Sequence, residues 1–346
     1  MTRRKIIKLL GLGLLSLARP GNADTWIGLE PGKVRRMTKG SRVMLGNVRV
    51  TIKVFSPKKR QAEEAIAAAF SEAVRLENRL SIFKPESDFS QVNAAAGKHA
   101  VQVSSDVMEV LRWGMEVTRI TEGAFNMAVG PAMDLWGFID KKHIPNQKER
   151  SSLEALMHPE NIVVEEKLQT VFLGEKGMKI DAGGIGKGFI AERMKAVLKD
   201  FGVTSGIIAI AGDIALFGTK PNGNPWRIGI QHPRHKEKTI AEIDLSDRFI
   251  STSGDYERFF TKNGKIYHHI LNSETLLPAR NCQSVTVISD NGAFSDALST
   301  GIFVMGPKHG MSLLEKWLGE GVIIDREGRV SVTPSLEGRV RLHEDV

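Results

Sequence analysis

Helical and strand periodicities follow one another irregularly along this chain, and that irregular order restricts its fold more than any other feature. Residues 47–55 place Val48, Val50, Ile52 and Val54 on alternate positions, the period of a half-buried strand. Residues 60–79 carry Ala65, Ile66, Phe70, Ala73 and Val74 at three-to-four spacing, the period of a helix packed on one side. Ser104 and Ser105 can cap a second helix bearing Val107, Leu111, Met115 and Val117. A third is expected over residues 186–201, with Gly202 as its stop. Strands are expected at 206–210, 226–231, 240–245 and 284–288, helices at 294–304 and 308–318, and a closing hairpin at 321–332. A doubly wound parallel sheet needs regular strand–helix alternation, which is missing. The order predicts an α+β fold of mixed sheets with packed helices, in two coupled lobes. No repeat or low-complexity linker divides the 346 residues, so one large domain is expected over 41–346, after an N-terminal linker at 24–40.

The charge is unevenly placed. Residues 1–60 hold 15 Lys/Arg and 2 Asp/Glu, a net +13 against +8 for the whole chain, so the remainder is net −5. A basic chain invites a nucleic-acid reading, but aromatics make up only 6%, too few for base stacking. Residues 1–23 read instead as an export signal: a basic start, an apolar run from Leu9 to Leu17, then Gly21, Asn22 and Ala23. Thr2-Arg3-Arg4-Lys5-Ile6-Ile7-Lys8 resembles a twin-arginine signal, with an ordinary Sec signal and a basic cytoplasmic arm as competing readings. No cysteine follows the run, so a periplasmic protein without a lipid anchor is expected. The single cysteine, Cys282, excludes an internal disulfide framework and a four-thiolate zinc site. The basic stretch from Lys33 to Arg60 is expected to be a solvated surface, able to face anionic phosphates.

Three segments carry chemistry. In residues 178–188 a strand ending in Asp181 is expected to run through a glycine-rich turn into a helix. That arrangement gathers free N–H groups, the helix's positive end and Lys187, and suits a pyrophosphate. It is not a Walker A loop, because Asp181 stands where that loop needs glycine and Gly188 where it needs Ser or Thr. The dinucleotide glycine fingerprint fails as well. Asp296 and Thr300, four residues apart, fall on one helix face about a turn apart and offer hard oxygen ligands for Mg2+ or Ca2+. Local bonding explains each segment equally well in isolation: a tight strand–helix connection, and a capping Asp with a back-bonding Thr. In His268-His269 the adjacent rings point to opposite strand faces, so at most one faces a given site.

Taken in order, these pieces resemble the ApbE family of flavin transferases, over residues 44–306. The markers are Met44-Leu45-Gly46-Asn47; Leu80-Ser81-Ile82-Phe83 with Ser90 and Asn93; Gly123-Ala124-Phe125-Asn126 leading to Leu135-Trp136-Gly137-Phe138; and Asp181-Ala182-Gly183-Gly184-Ile185-Gly186-Lys187-Gly188. Gly212-Asp213-Ile214, Thr252-Ser253-Gly254-Asp255-Tyr256, His268-His269-Ile270-Leu271 and Ser295-Asp296-Ala297-Leu298-Ser299-Thr300 follow. The resemblance implies an FAD groove lined by Leu45, Ala124, Phe125, Asn126 and Leu271, with Phe83 against an aromatic ring of the substrate and Asp181 and Lys187 in contact with it. It also implies a metal site of Asp296 and Thr300, completed by carbonyls near Gly184 and Ser299.

The reaction so implied is Mg2+-dependent transfer of FMN from FAD to a threonine hydroxyl of another protein, releasing AMP, with His269 as the candidate proton acceptor. The expected acceptor is a flavoprotein of a membrane respiratory or electron-transport complex, because an exported, unlipidated member resembles the NosX-type accessory proteins. The chain departs from the family pattern at several positions. Asn126 replaces a usual Asp, Asn272-Ser273 replaces Asp-Pro, Leu276 and Ala211 replace glycines, and Asn47 replaces Thr. Two rival readings use the same bound FAD: a pyrophosphatase that releases free FMN and AMP, and a non-catalytic flavin-binding protein of the cell envelope.

Overall fold

The computed structural model describes residues 36–317 and 319–343, so the export signal expected at 1–23 lies outside the described residues. The linker expected at 24–40 ends inside a strand: residues 36–40 form the first half of β1 (Arg36–Met44), because they pair with the expected β2 (Val48–Ser56). The chain continues through α1 (Lys59–Leu80), α2 (Asp88–Ala94), β3 (Val101–Gln102), α3 (Ser105–Ile120), α4 (Gly130–Trp136) and α5 (Gln147–Ser151). Next come β4 (Ile162–Glu165), β5 (Thr170–Leu173), α6 (Gly186–Asp200), β6 (Gly206–Ile210), β7 (Asp213–Phe217), β8 (Trp226–Gln231), β9 (Thr239–Leu245) and β10 (Phe249–Gly254). The last elements are β11 (Phe259–Lys262), β12 (Lys265–His268), β13 (Cys282–Ser289), α7 (Gly292–Met305), α8 (Pro307–Lys316), β14 (Glu320–Asp325), β15 (Val330–Val332) and β16 (Val340–Leu342).

Eight strands form one antiparallel sheet in the order β1-β2-β6-β7-β10-β13-β14-β15. Helices α1, α3, α6 and α7 cover one face over the largest core, which includes Ile52, Phe70, Leu76, Leu111, Phe189 and Phe303. The sheet β16-β9-β8 covers part of the other face, over a second core built from Ile214, Leu216, Ile228, Ile243 and Ile250. A third cluster joins Trp136, Phe260, Leu271 and Leu276. This is the α+β class expected, and its antiparallel strands need no crossover helices. Helix α1 shows why it forms where it does: Ala62, Ala65, Ile66, Ala69, Phe70, Ala73, Leu76 and Leu80 make a single buried stripe. Each large apolar side chain in such a stripe contributes roughly 1.5–3 kcal/mol on burial.

Residues 178–181, expected as a strand, join no ladder. They are pinned from outside any sheet: Asn93 Oδ1 accepts from the Ile180 N–H at 2.8 Å while its amide donates to the Ile180 carbonyl at 2.9 Å, and Asp181 N–H donates to the Met127 carbonyl at 2.9 Å. Three of the family departures leave a backbone signature, one of them Asn47 at φ 84°. Ala211 and Leu276, which stand where glycines are usual, have φ of 51° and 54°, a left-handed region costly for any residue with a Cβ. Ala211 opens the two-residue loop between Ile210 and Asp213, which pair across the hairpin. Ala211→Gly is expected to stabilise the protein by about 0.5–1 kcal/mol, relief of strain exceeding the added flexibility of the unfolded chain. An upward shift of the urea midpoint checks this; Leu276 is less suited because its side chain is buried in the third cluster.

Candidate active site

Two glycines let the first turns of α6 and α7 meet. A Cβ on Gly188 would lie 2.0 Å from the Gly292 carbonyl oxygen, and one on Gly292 would lie 2.3 Å from the Gly188 carbonyl oxygen. The contact brings Lys187 against Asp296, residues 109 apart in sequence. Helix α6 has no side-chain cap of its own, since Ile185 stands at its N-cap. Asp296 supplies one from α7: its Oδ2 accepts the Gly188 N–H at 3.0 Å, where the helix's positive end favours a carboxylate. Asn291 caps α7 instead, accepting from the Phe294 N–H at 2.8 Å.

The sheet contributes the floor. Asp213 on β7 pairs in register with Ser251 on β10, and strand alternation puts Asp213, Ser251 and Ser253 on the face beneath α7. Ser251 Oγ lies 3.0 Å from Ser295 Oγ, while Ser253 Oγ lies 2.9 Å from Ser299 Oγ and 3.0 Å from Thr300 Oγ1. Proton accounting orders the second group. Ser299 donates to the Asp296 carbonyl at 2.9 Å, so Ser253 is left to donate to Ser299. Thr300 has one proton for two acceptors, Ser253 Oγ at 3.0 Å and, as back-bonding within the helix, the Asp296 carbonyl at 3.4 Å, and with either choice its own oxygen lone pairs stay open. Gly184 sits against this hydroxyl: a Cβ there would lie 3.3 Å from Thr300 Oγ1 and 3.2 Å from Phe125 Cε2.

Lys187 Nζ stands 2.8 Å from Asp213 Oδ2 and 3.3 Å from Asp296 Oδ1. Burial works against its charge, but the Asp213 and Asp296 carboxylates outweigh that and raise the ammonium above the ordinary lysine value. Burial, and next the Asp296 carboxylate, push Asp213 up. Its Oδ1 is buried without a hydrogen-bond partner. Lys187 was expected as the cation for a pyrophosphate, but the structure commits its charge to two carboxylates.

The donor set fits a hard divalent cation: a carboxylate and an open hydroxyl one helical turn apart, with an orphaned carboxylate oxygen on the Lys187 side. Among the described residues no three His, Cys, Asp or Glu side chains converge as a cage, so backbone and substrate oxygens would complete the shell.

The two histidines part company. His268 is buried, its Nε2 2.7 Å from the Ala279 carbonyl and its Nδ1 accepting from the Ile270 N–H at 3.3 Å, so both nitrogens serve the backbone. His269 is half-buried, with Nδ1 3.2 Å from the Arg258 carbonyl. A carbonyl only accepts, so Nδ1 carries the proton and Nε2 keeps its lone pair. Burial first, then Arg258 and His268, hold this imidazole down to about 3.

The residues expected along the groove differ in role. Phe83 is 75% exposed in a cavity of about 520 Å³ lined also by Arg75, Asn78 and Arg79. Leu45, at φ 54° in the β1–β2 turn, and Ala124 are partly buried against the main core, and Phe125 is within it. Asp181 Oδ1 accepts the Gly183 N–H at 2.7 Å and shapes the glycine turn; burial pushes its carboxyl up. Leu271 packs in the third cluster beside Leu276. Asn126 spends its amide locally, accepting from the Ala128 N–H at 2.8 Å and donating to the Met157 carbonyl at 2.7 Å. A carboxylate could not make the second bond. Asn272 Oδ1 accepts from the N–H groups of Glu274 and Thr275, as an Asp would. Sequence reasoning assigned no role to Asp213, Ser251 or Ser253. The available signals were that Asp213 and Ser253 lie inside two of the family markers, and that Asp213 leads an apolar strand.

The sequence model of the ApbE family matches residues 47–323. A FAD:protein FMN transferase of Klebsiella pneumoniae (strain 342) is 30% identical over 285 residues, spanning 81% of this chain and 86% of that one. A second, from Treponema pallidum (strain Nichols), is 30% identical over 313 residues, spanning 84% of this chain and 85% of that one. Among solved structures, the ApbE protein of Thermotoga maritima aligns with a TM-score of 0.81 at 29% identity, over 88% of this chain and all of its own. The apo flavinyl transferase ApbE of Pseudomonas stutzeri aligns with a TM-score of 0.77 at 25% identity, over 88% of this chain and 97% of that one.

Proposed function

The chain belongs to the ApbE family, and on that premise we propose that it is a FAD:protein FMN transferase, moving FMN from FAD to a threonine hydroxyl of an acceptor protein. The observation that carries the reading is the meeting of the glycine turn, through Gly184 and Lys187, with Asp296 and Thr300 on α7. Asp296 and Thr300, with carbonyls near Gly184 and Ser299, are the groups that would hold Mg2+, or Ca2+ in its place. When bound, such an ion supplies charge neutralisation on the phosphate oxygens of the substrate and the departing AMP. Asp213 and Asp296 hold Lys187 in place, and the lysine in turn fixes the Asp296 carboxylate in the same cleft.

In the transfer, the acceptor hydroxyl oxygen forms a bond to the FMN-side phosphorus, and the bond from that phosphorus to the bridging oxygen breaks, releasing AMP. The hydroxyl proton passes to Nε2 of His269, the nitrogen left free by the Arg258 carbonyl. The work of the protein is positioning and a preformed field, as in phosphoryl transfer generally. The residue pattern at 1–23 supports action in the periplasm after export, on a flavoprotein of a membrane electron-transport complex.

Incubation with FAD and Mg2+, with and without candidate acceptors, tests the proposal by in-gel flavin fluorescence. Flavin on the acceptor band is expected. Free FMN and AMP with no labelled band would make the protein a pyrophosphatase, and bound FAD without AMP release would make it a binding protein. The pH profile is also constrained. Because His269 is held far below its ordinary value, it stays neutral as the medium is acidified. kcat/KM for FAD is expected to stay flat from pH 7 to about 5, whereas a base with the usual histidine pKa of about 6.5 would lose activity over that range. Initial rates of AMP release across that range check it.

A further inference from the structure

We propose that Glu192 is a positioning residue for the metal site: it locks the first turn of α7 onto α6, so that Asp296 and Thr300 hold the places from which both can reach one cation. The proposal rests on the transferase reading with its divalent cation. It names a group outside the donor set on which that pair depends. Glu192 is half-buried on the second turn of α6.

The two helices hold each other by one device used twice. On α6, Gly188 is followed a turn later by Glu192; on α7, Gly292 is followed a turn later by Asp296. The glycines allow the close approach, and each carboxylate reaches across to the other helix's glycine. Asp296 Oδ2 accepts the Gly188 N–H at 3.0 Å, and Glu192 Oε2 accepts the Gly292 N–H at 2.9 Å. Both N–H groups lie in the first turn of a helix, where intrahelical acceptors are lacking and the positive end favours a carboxylate. Glu192 Oε1 also accepts from the Asn291 amide at 3.2 Å, and Asn291 is the residue that caps α7.

The two bridges differ in what else they serve. Asp296 divides its carboxylate, with Oδ2 on Gly188 and Oδ1 3.3 Å from Lys187 Nζ in the cleft. Glu192 directs both oxygens to the start of α7. The Asp296 bridge therefore yields to whatever that carboxylate binds, whereas the Glu192 bridge does not. Asp296 and Thr300 stand one and two turns beyond Gly292 on the same helix, so a slide of its first turn carries both away from Gly184 and Lys187 together. A displacement of about 1 Å is enough to cost a preorganised site most of its function.

The test uses the full chain as wild type, Glu192→Gln, Asn291→Asp and the double exchange of both. Glu192→Gln keeps an acceptor for Gly292 but turns its amide toward the Asn291 amide, two donors face to face. Asn291→Asp alone sets two carboxylates against each other. The exchange restores one donor and one acceptor with their places swapped, and residue 291 still caps α7. FAD binding is titrated at a series of Mg2+ concentrations, with melting temperature and AMP release measured in parallel. Each single variant is expected to need about 10–100-fold more Mg2+ for the same FAD affinity, as when a group supporting metal ligands is removed. The exchange should recover most of that loss. An unchanged Mg2+ requirement in Glu192→Gln would overturn the proposal. So would an exchange variant that regains the melting temperature without the Mg2+ requirement, because the contact would then serve stability alone. A wild type whose FAD binding depends on Mg2+ but which never releases AMP sinks the transferase reading, while the titrations still decide the role of Glu192. Wild-type FAD binding indifferent to Mg2+ would overturn the metal set and this proposal together.

Discussion

Replacing Asp296 by alanine is expected to abolish flavin transfer while leaving the protein folded. The carboxylate is the only charged member of the proposed metal set, and losing several kcal/mol of transition-state stabilisation lowers the rate on the order of 10³-fold or more. The fold should survive because Lys187 keeps Asp213 at 2.8 Å as its counter-charge. The Gly188 N–H does lose its acceptor, at a cost of about 1 kcal/mol for a lost cap. Asp296→Asn separates the two effects, since an amide oxygen still accepts from Gly188 but brings no charge. It should melt near the wild-type temperature and remain inactive. AMP release and acceptor labelling in Mg2+ check both variants, and a rate within a few-fold of wild type in Asp296→Asn would remove the carboxylate's charge from the mechanism.

Gly188→Ala is the second large effect, this time on stability. In an ordinary helix interior alanine beats glycine by about 1 kcal/mol, so propensity alone predicts a gain. Here the added Cβ would lie 2.0 Å from the Gly292 carbonyl oxygen and 2.8 Å from Asp296 Cβ. Neither neighbour is the free end of a flexible chain, so α6 and α7 must separate. A loss of about 3 kcal/mol or more is expected, at the upper end for overpacking. The same separation displaces Lys187 from Asp296, so turnover should fall with the melting temperature. A variant as stable as wild type would show that the two helices do not depend on this contact.

The sequence made the long elements legible because their periods are long enough to read. Residues 60–79, 186–201 and 206–210 anticipated α1, α6 and β6 closely, since each carries an uninterrupted stripe or apolar run. The shorter pieces escaped. β11 and β12, four residues each, are too short to show an apolar alternation, and the seven-residue α2 buries only Phe89 and Val92 as large apolar side chains, too short a stripe to read as a period. In the cleft, Asp296 and Thr300 were readable because four-residue spacing on a helix defines a face without any tertiary information. Asp213 was not, because its place is fixed by the register of β7 against β10. The change in the role of Lys187 has the same origin. A lysine after a glycine turn suggests an anion receptor until the sheet places a second carboxylate under it.

The contact between Gly188 and Gly292 also sets the timing of competence. The turn at 181–188 leaves the ribosome about a hundred residues before the partner that completes it, as the 108-residue separation of Gly188 from Asp296 implies. Throughout that interval the emerging polypeptide holds half of a cleft and cannot cleave a nucleotide. Both halves of the cleft come together only where α7 lies against α6, so a chain ending before residue 292 holds the glycine turn without its partner carboxylate.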